Sequence, residues 1–301
     1  MTISEHSIDK SKKKLFFSML LTGIIFLAEF IGGIWTGSLA LLSDSAHVFM
    51  DVFALGLSYL AFRAAAIPAN EKHTFGYHRM QVLAALFNGA SLLLISFEIL
   101  REAIIRFSNP QPIIAGPMLI IAVIGLVVNI IVAYVLHEHD HEDLNTRAAF
   151  LHVIGDTIAS VGVIGAGIAI YFTNLTWIDP LVSVLISLLI ILNSGKLLKS
   201  TVHILAEGMP AGITVPQITD ALKQIDGVEG MHDLHVWTIS PAFIALSVHV
   251  MVEDQFISCS DLIMDQIKKV LKEEFKISHT TIQFECQNCG QCTANDIKDK
   301  L

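Results

Sequence analysis

Charge is scarce in this chain, and positive charge scarcer still. Only 16% of the residues are Asp, Glu, Lys or Arg, and 19 Lys and Arg stand against 28 Asp and Glu, for a net charge of −9. That deficit argues against nucleic acid as a partner and suits a surface that handles cations. Cysteine is scarce as well. The four present, Cys259, Cys286, Cys289 and Cys292, all lie near the C-terminal end, where a reducing cytoplasm favours thiols over disulfides. An A-x-A cleavage pattern is missing after the first apolar run, which is also longer than the usual signal-peptide core of about 7 to 15 residues. The run is therefore expected to be a membrane span.

Hydrocarbon is what the chain has in excess: 53% of its 301 residues are hydrophobic, too many for an ordinary soluble domain. A bilayer core of about 30 Å needs roughly 20 apolar residues per helical span. Six windows meet or approach that length, at 15–35, 39–66, 81–107, 117–136, 148–171 and 178–205. Lys and Arg cluster before the first window, between the second and third, before the fifth and at the end of the sixth, which predicts both termini on the cytoplasmic side. Arg101 and Arg106, near the outer end of the third window, dissent. After Met209 and Pro210 the texture becomes amphipathic, in the order α-β-β-α-β. The expected organisation is a tail at 1–14, a six-helix membrane domain at 15–208 with a His-rich loop at 137–145, a small cytoplasmic α+β domain of ferredoxin or metallochaperone type at 209–288, and a cysteine-bearing tail at 289–301.

The stretch SLALLSDSAHVFMDV puts His47 and Asp51 inside the second window. Residues four apart share a helix face, so the two side chains point the same way, with Asp44 about one turn off. An ionisable group near the bilayer centre costs about 2.5 to 3.5 kcal/mol, so such a placement calls for a function or a partner. The fifth window repeats the spacing: LHVIGDTIAS carries His152 and Asp156. Two His and two Asp from two helices make a four-donor shell of the kind Zn2+ accepts, and two carboxylates balance one divalent cation. Because ligands must shed protons before they bind metal, metal and protons compete for such a site. Taken singly, each pair also fits a buried hydrogen-bonded contact that fixes helix packing; the repetition points to a shared site.

These motifs, with HTFGYHR in the loop after the second window, the DP that opens the sixth and the small C-terminal domain, resemble the cation diffusion facilitators, membrane proteins that expel zinc. The resemblance covers nearly the whole chain. It implies that His47, Asp51, His152 and Asp156 are the transport ligands, with Zn2+ as cargo and Cd2+ or Co2+ as further candidates. It further implies a proton-coupled antiporter and not an enzyme, rocking between inward-facing and outward-facing states. The implied assembly is a homodimer held partly by the C-terminal domains, multi-pass in lipid at a bacterial plasma (inner) membrane.

By the same resemblance, the loop NEKHTFGYHR offers a second metal site at Asn70, His73 and Tyr77, of which only His73 is a good ligand. An interfacial loop with polar anchors is the alternative. Arg79 is expected to pair with Glu207. In the cytoplasmic domain, His232, His249 and Glu285 correspond to a regulatory zinc site, and strand alternation sets His249 opposite Ile244, Leu246, Val248 and Val250. The spacing of Cys286, Cys289 and Cys292 adds thiolates with affinity for zinc; a tail whose thiols merely buffer or oxidise is the alternative. HEHDHED, with His137, His139 and His141, is a metal-collecting tract by composition. It also matches H-E-x-x-H, which gives a second class of function, a membrane metalloprotease with His137 and His141 as ligands and Glu138 as base. Glu29, Glu98 and Asn129 are expected to line a water path or to hydrogen-bond between helices. The small residues of IGGIWTG and GAGIAI suit close helix packing and lack the Lys of a nucleotide loop; no organic cofactor is expected.

Overall fold

Six long helices come first: α1 (Ile3–Thr36), α2 (Leu39–Ala65), α3 (Met80–Ser108), α4 (Ala115–His137), α5 (Leu144–Thr173) and α6 (Ile178–Leu205). The structure, a computed structural model, describes the backbone of residues 3–137, 144–241 and 243–286, and the side chains of 20–132, 134, 156–241, 243–256 and 260–286. Among the described residues five helical stretches, Leu39–Ala65, Met80–Ser108, Ala115–Val132, Asp156–Thr173 and Ile178–Leu205, are long and apolar enough to cross a membrane, and α1 adds the apolar stretch Leu20–Thr36. Helix α1 starts well before the first apolar window, since no Gly or Pro interrupts the polar residues ahead of it.

The chain divides into two compact units, residues 1–59 with 87–198, and residues 60–86 with 199–301. In the first, α4 packs on α1 and α5. Its core joins Leu41 and Met50 of α2, Leu92 of α3, Met118 of α4, Val163 of α5 and Ile186 of α6. Close approach is made by glycine: a Cβ at Gly32 would collide with Ile121, and one at Gly167 with Leu119. Large apolar side chains such as Leu94 and Phe172 lie exposed, as expected of surface that meets lipid tails and not water.

Helix α2 is capped from outside. The carboxylate of Asp179, at the start of α6 and fully buried, accepts hydrogen bonds from Ser38 Oγ at 2.5 Å, Leu39 N at 2.6 Å and Ala40 N at 3.2 Å. A helix leaves its first four N–H groups without intrahelical partners, and in a membrane no water satisfies them. A neighbouring helix supplies the acceptor instead.

The second unit holds α7 (Val215–Lys223), β1 (Gly230–Ser240), β2 (Phe243–Met251), α8 (Ile257–Phe275) and β3 (His279–Glu285), the α-β-β-α-β order expected. Thr214 and Gln217 form a capping box that starts α7. Strand β2 is central, antiparallel to β1 and parallel to β3. Its alternate residues Leu246, Val248 and Val250 meet Ile218 and Leu222 of α7 and Ile267 and Leu271 of α8 in one core, which leaves Ser247 and His249 on the other face.

Candidate metal centres

On α2, His47 and Asp51 point the same way, and Asp156 of α5 meets them. His47 Nε2 stands 3.7 Å from Asp51 Oδ2 and 3.5 Å from Asp156 Oδ1. The three donors lie within 4.8 Å of one another. A tetrahedron with bonds of about 2.0 to 2.1 Å has edges of about 3.3 Å, so the two distances from His47, 3.5 and 3.7 Å, are close to those between ligands of one ion. The three side chains are 13% to 20% exposed and line a cavity of about 490 Å3 together with Asn193, Ser194 and apolar residues of α3, α5 and α6. His152 sits one turn before Asp156 on α5; its side chain lies outside the described residues. Asn193 is a cavity residue the sequence reading missed, although a lone amide in the apolar sixth window was a signal to follow.

Asp44 does not join this triad. It is 3% exposed and accepts a hydrogen bond from Ser160 Oγ at 3.2 Å, and Ser160 Oγ accepts from Asn129 Nδ2 at 3.2 Å. Asn129 thus takes the interhelical role foreseen for it. Glu29 is 1% exposed, packs its carboxylate against Gly125 and leaves Oε2 with no hydrogen-bond partner among the described residues. Among the described residues Glu98 makes no interhelical bond: it pairs with Arg101 three residues on, at 2.5 Å, and both are exposed. Arg106 pairs with Glu102 at 2.9 Å, so each basic residue that dissented from the charge rule has an acidic partner.

A second group of donors lies on the sheet. His232 of β1 and His249 of β2 are direct cross-strand partners, with ring centroids 5.1 Å apart. Glu285 of β3 bridges them, Oε2 at 3.3 Å from His232 Nε2 and Oε1 at 2.8 Å from His249 Nδ1. His249 faces away from the apolar core as expected, yet is only 8% exposed. Asp233 belongs to the same cluster and was missed: a bulge after His232 holds it at φ 51°, a left-handed conformation Asp tolerates better than most residues. Its carboxylate then reaches His235 Nε2 at 2.9 Å and His249 Nε2 at 3.8 Å. Cys286 is an exposed free thiol; Cys289 and Cys292 lie outside the described residues.

In the loop after α2, Asn70 Oδ1 accepts from the backbone amides of Lys72 and His73, and the His73 ring packs on Tyr77, centroids 4.5 Å apart. No group of three His, Cys, Asp or Glu donors forms around His73 among the described residues. Arg79 Nη2 donates to Glu207 Oε1 at 3.1 Å. The side chain of His137 and all of Glu138, His139 and His141 lie outside the described residues.

The family model described as the cation efflux transmembrane domain matches residues 15–206, and that of the cation efflux protein cytoplasmic domain matches 210–287. The chain belongs to the cation efflux family. This membrane transporter is 42% identical over 285 residues to the cadmium, cobalt and zinc/H(+)-K(+) antiporter of Bacillus subtilis, covering 94% of this chain and 91% of that one. It is 37% identical over 284 residues to the metal cation efflux system protein CzcD of Cupriavidus metallidurans, covering 94% and 90%. It is 39% identical over 286 residues to the zinc transporter ZitB of Pectobacterium atrosepticum, covering 94% and 88%. Among solved structures, the metal-bound C-terminal domain of the CzcD transporter is 30% identical, with 24% of this chain and 99% of that one covered at a TM-score of 0.22. Family membership makes the protein a multi-pass cation transporter and not an enzyme, so the H-E-x-x-H match in the His-rich segment does not mark a protease.

Proposed function

We propose that this protein expels Zn2+, and also Cd2+ or Co2+, from the cytoplasm in exchange for protons, by alternating access to a site made of His47, Asp51, His152 and Asp156. The observation that carries the reading is the convergence of His47, Asp51 and Asp156 within 4.8 Å on membrane-crossing helices of a cation efflux protein. The relatives' names supply the cargo class. The carboxylates provide the charge that a divalent ion needs. The imidazoles favour Zn2+ over the harder Mg2+ and Ca2+, which prefer all-oxygen shells. Protons and metal bind the same lone pairs, so loading one requires release of the other. The protein works as a homodimer in a bacterial plasma membrane with both termini cytoplasmic. His232, His249 and Glu285, with Cys286, Cys289 and Cys292 nearby in sequence, take cytoplasmic zinc as a regulatory ligand.

The test uses purified protein in sealed liposomes carrying zinc-sensitive and pH-sensitive dyes, comparing the wild type with Asp51→Ala and Asp156→Ala. Zinc entry matched by proton exit in the wild type, and absent in both variants, is the expected result. Variants that still transport would remove the proposed site from the path. Repeating the assay with and without a K+ gradient decides whether potassium shares the counter-ion role that one relative's name gives it.

A further inference from the structure

The unit that holds the sheet has a second cavity, of about 770 Å3, bordered by the loop between α2 and α3 and by β1. Its fixed charge is positive, with Lys72 and Arg79 set against Glu207. Arg79 is seen to use one donor, on Glu207, of the five a guanidinium carries. The Lys72 ammonium has no acidic partner among the described residues. His73, His78 and His235 also border the space, but their nitrogens form no three-donor group with other ligand atoms among the described residues. The cavity therefore lacks the convergence a metal needs and has the donors an anion needs. Gly76 turns the loop at φ 67°, and just before it the backbone amides of Thr74 and Phe75 donate to no described residue. Successive free amides next to cationic side chains are the elements of an oxyanion cradle.

The loop connects two membrane-crossing helices over residues 66–79, so both of its ends lie where those helices leave the membrane surface. Basic pockets at that level recognise phosphate headgroups. We propose that this cavity binds a phosphate group, and that the membrane supplies it as the headgroup of an anionic phospholipid. A soluble phosphate would be recognised by the same donors, and the experiment separates the two sources. Lys72 and the free donors of Arg79 face the phosphate oxygens.

The test takes the full-length protein in detergent and titrates phosphatidylglycerol against phosphatidylcholine, reading bound lipid by native mass spectrometry, for wild type, Lys72→Glu and Lys72→Arg. One basic residue near a membrane surface contributes about 1 kcal/mol, so phosphatidylglycerol is expected to bind about fivefold tighter or more than phosphatidylcholine to the wild type and Lys72→Arg, and without preference to Lys72→Glu. In parallel, the unfolding temperature is followed with inorganic phosphate in the absence of lipid. Phosphate protection of the wild type and not of Lys72→Glu, without any lipid preference, supports the phosphate site and assigns its ligand to the soluble pool. Equal lipid preference in wild type and Lys72→Glu, together with no phosphate protection that depends on Lys72, overturns the proposal. Because the readouts are lipid count and unfolding, they stand or fall separately from the transport site.

Discussion

His47 Nε2 faces both carboxylates of the intramembrane triad, at 3.7 and 3.5 Å, so its chemistry bears most on which ion is accepted. Exchanging this imidazole for carboxylate leaves His152 as the one nitrogen donor of the proposed shell, and an oxygen-rich shell suits Mn2+ better than Zn2+. His47→Asp is expected to lower zinc transport at least about tenfold and to admit Mn2+, measured with metal-specific dyes in proteoliposomes. The sign of the pH effect follows from the same donors. Imidazole and carboxylate bind metal only after losing a proton, so zinc affinity at the site falls as pH drops from about 7.5 to about 5.5, and a proton gradient directed against the metal promotes release. Zinc binding that stays constant over that range by titration calorimetry would contradict proton competition. Gly125 offers a test of a different kind. A Cβ there would collide with the Glu29 carboxylate, so Gly125→Ala is expected to destabilise by about 1 to 3 kcal/mol. Adding Glu29→Ala should recover most of the lost unfolding temperature in detergent.

Asp179 links two helices by one carboxylate, since three hydrogen bonds from the start of α2 converge on it. Removing a capping acceptor costs about 0.5 to 2 kcal/mol in water. Asp179→Ala is expected to reach at least the top of that range, because two buried backbone amides lose their acceptor, and to reduce transport since α2 carries His47 and Asp51. Asp179→Asn keeps one acceptor and should fall between. The cap was only half legible in the sequence. The DP at the head of the sixth window marked a helix start, but nothing in the local pattern says that the carboxylate caps a helix some 140 residues earlier. The paired H-x-x-x-D spacings, by contrast, were readable because helix periodicity fixes which side chains share a face. The α-β-β-α-β order was readable because apolar periodicity changes from helical to alternating. Asp233 stayed hidden for the opposite reason. Regular alternation would send it away from His232 and His249, and only the bulge, a local irregularity, returns it to them.

The whole chain is tied at places that contribute unequally. Arg79 and Glu207 stand 128 positions apart in sequence and meet at 3.1 Å, with side chains 43% and 64% exposed. Exposed pairs of this kind contribute roughly 0 to 1 kcal/mol. Arg79→Glu and Glu207→Arg are therefore expected to leave the unfolding temperature nearly unchanged. If the pair guides the transport cycle, each single reversal slows zinc flux and the double reversal restores it. The sheet site has another consequence. Its three donors come one from each strand, His232 from β1, His249 from β2 and Glu285 from β3. An ion held by all three acts as a rivet through the full width of the sheet, so the domain cannot lose one strand without first giving up its ion. Occupancy is thereby converted into mechanical cohesion. At a free-zinc concentration about a hundred times the dissociation constant the gain is about 2.7 kcal/mol, visible as a rise in unfolding temperature that a chelator reverses. Rising cytoplasmic zinc would stiffen the domain, giving the transporter a readout of its own cargo that is independent of how fast that cargo crosses the membrane.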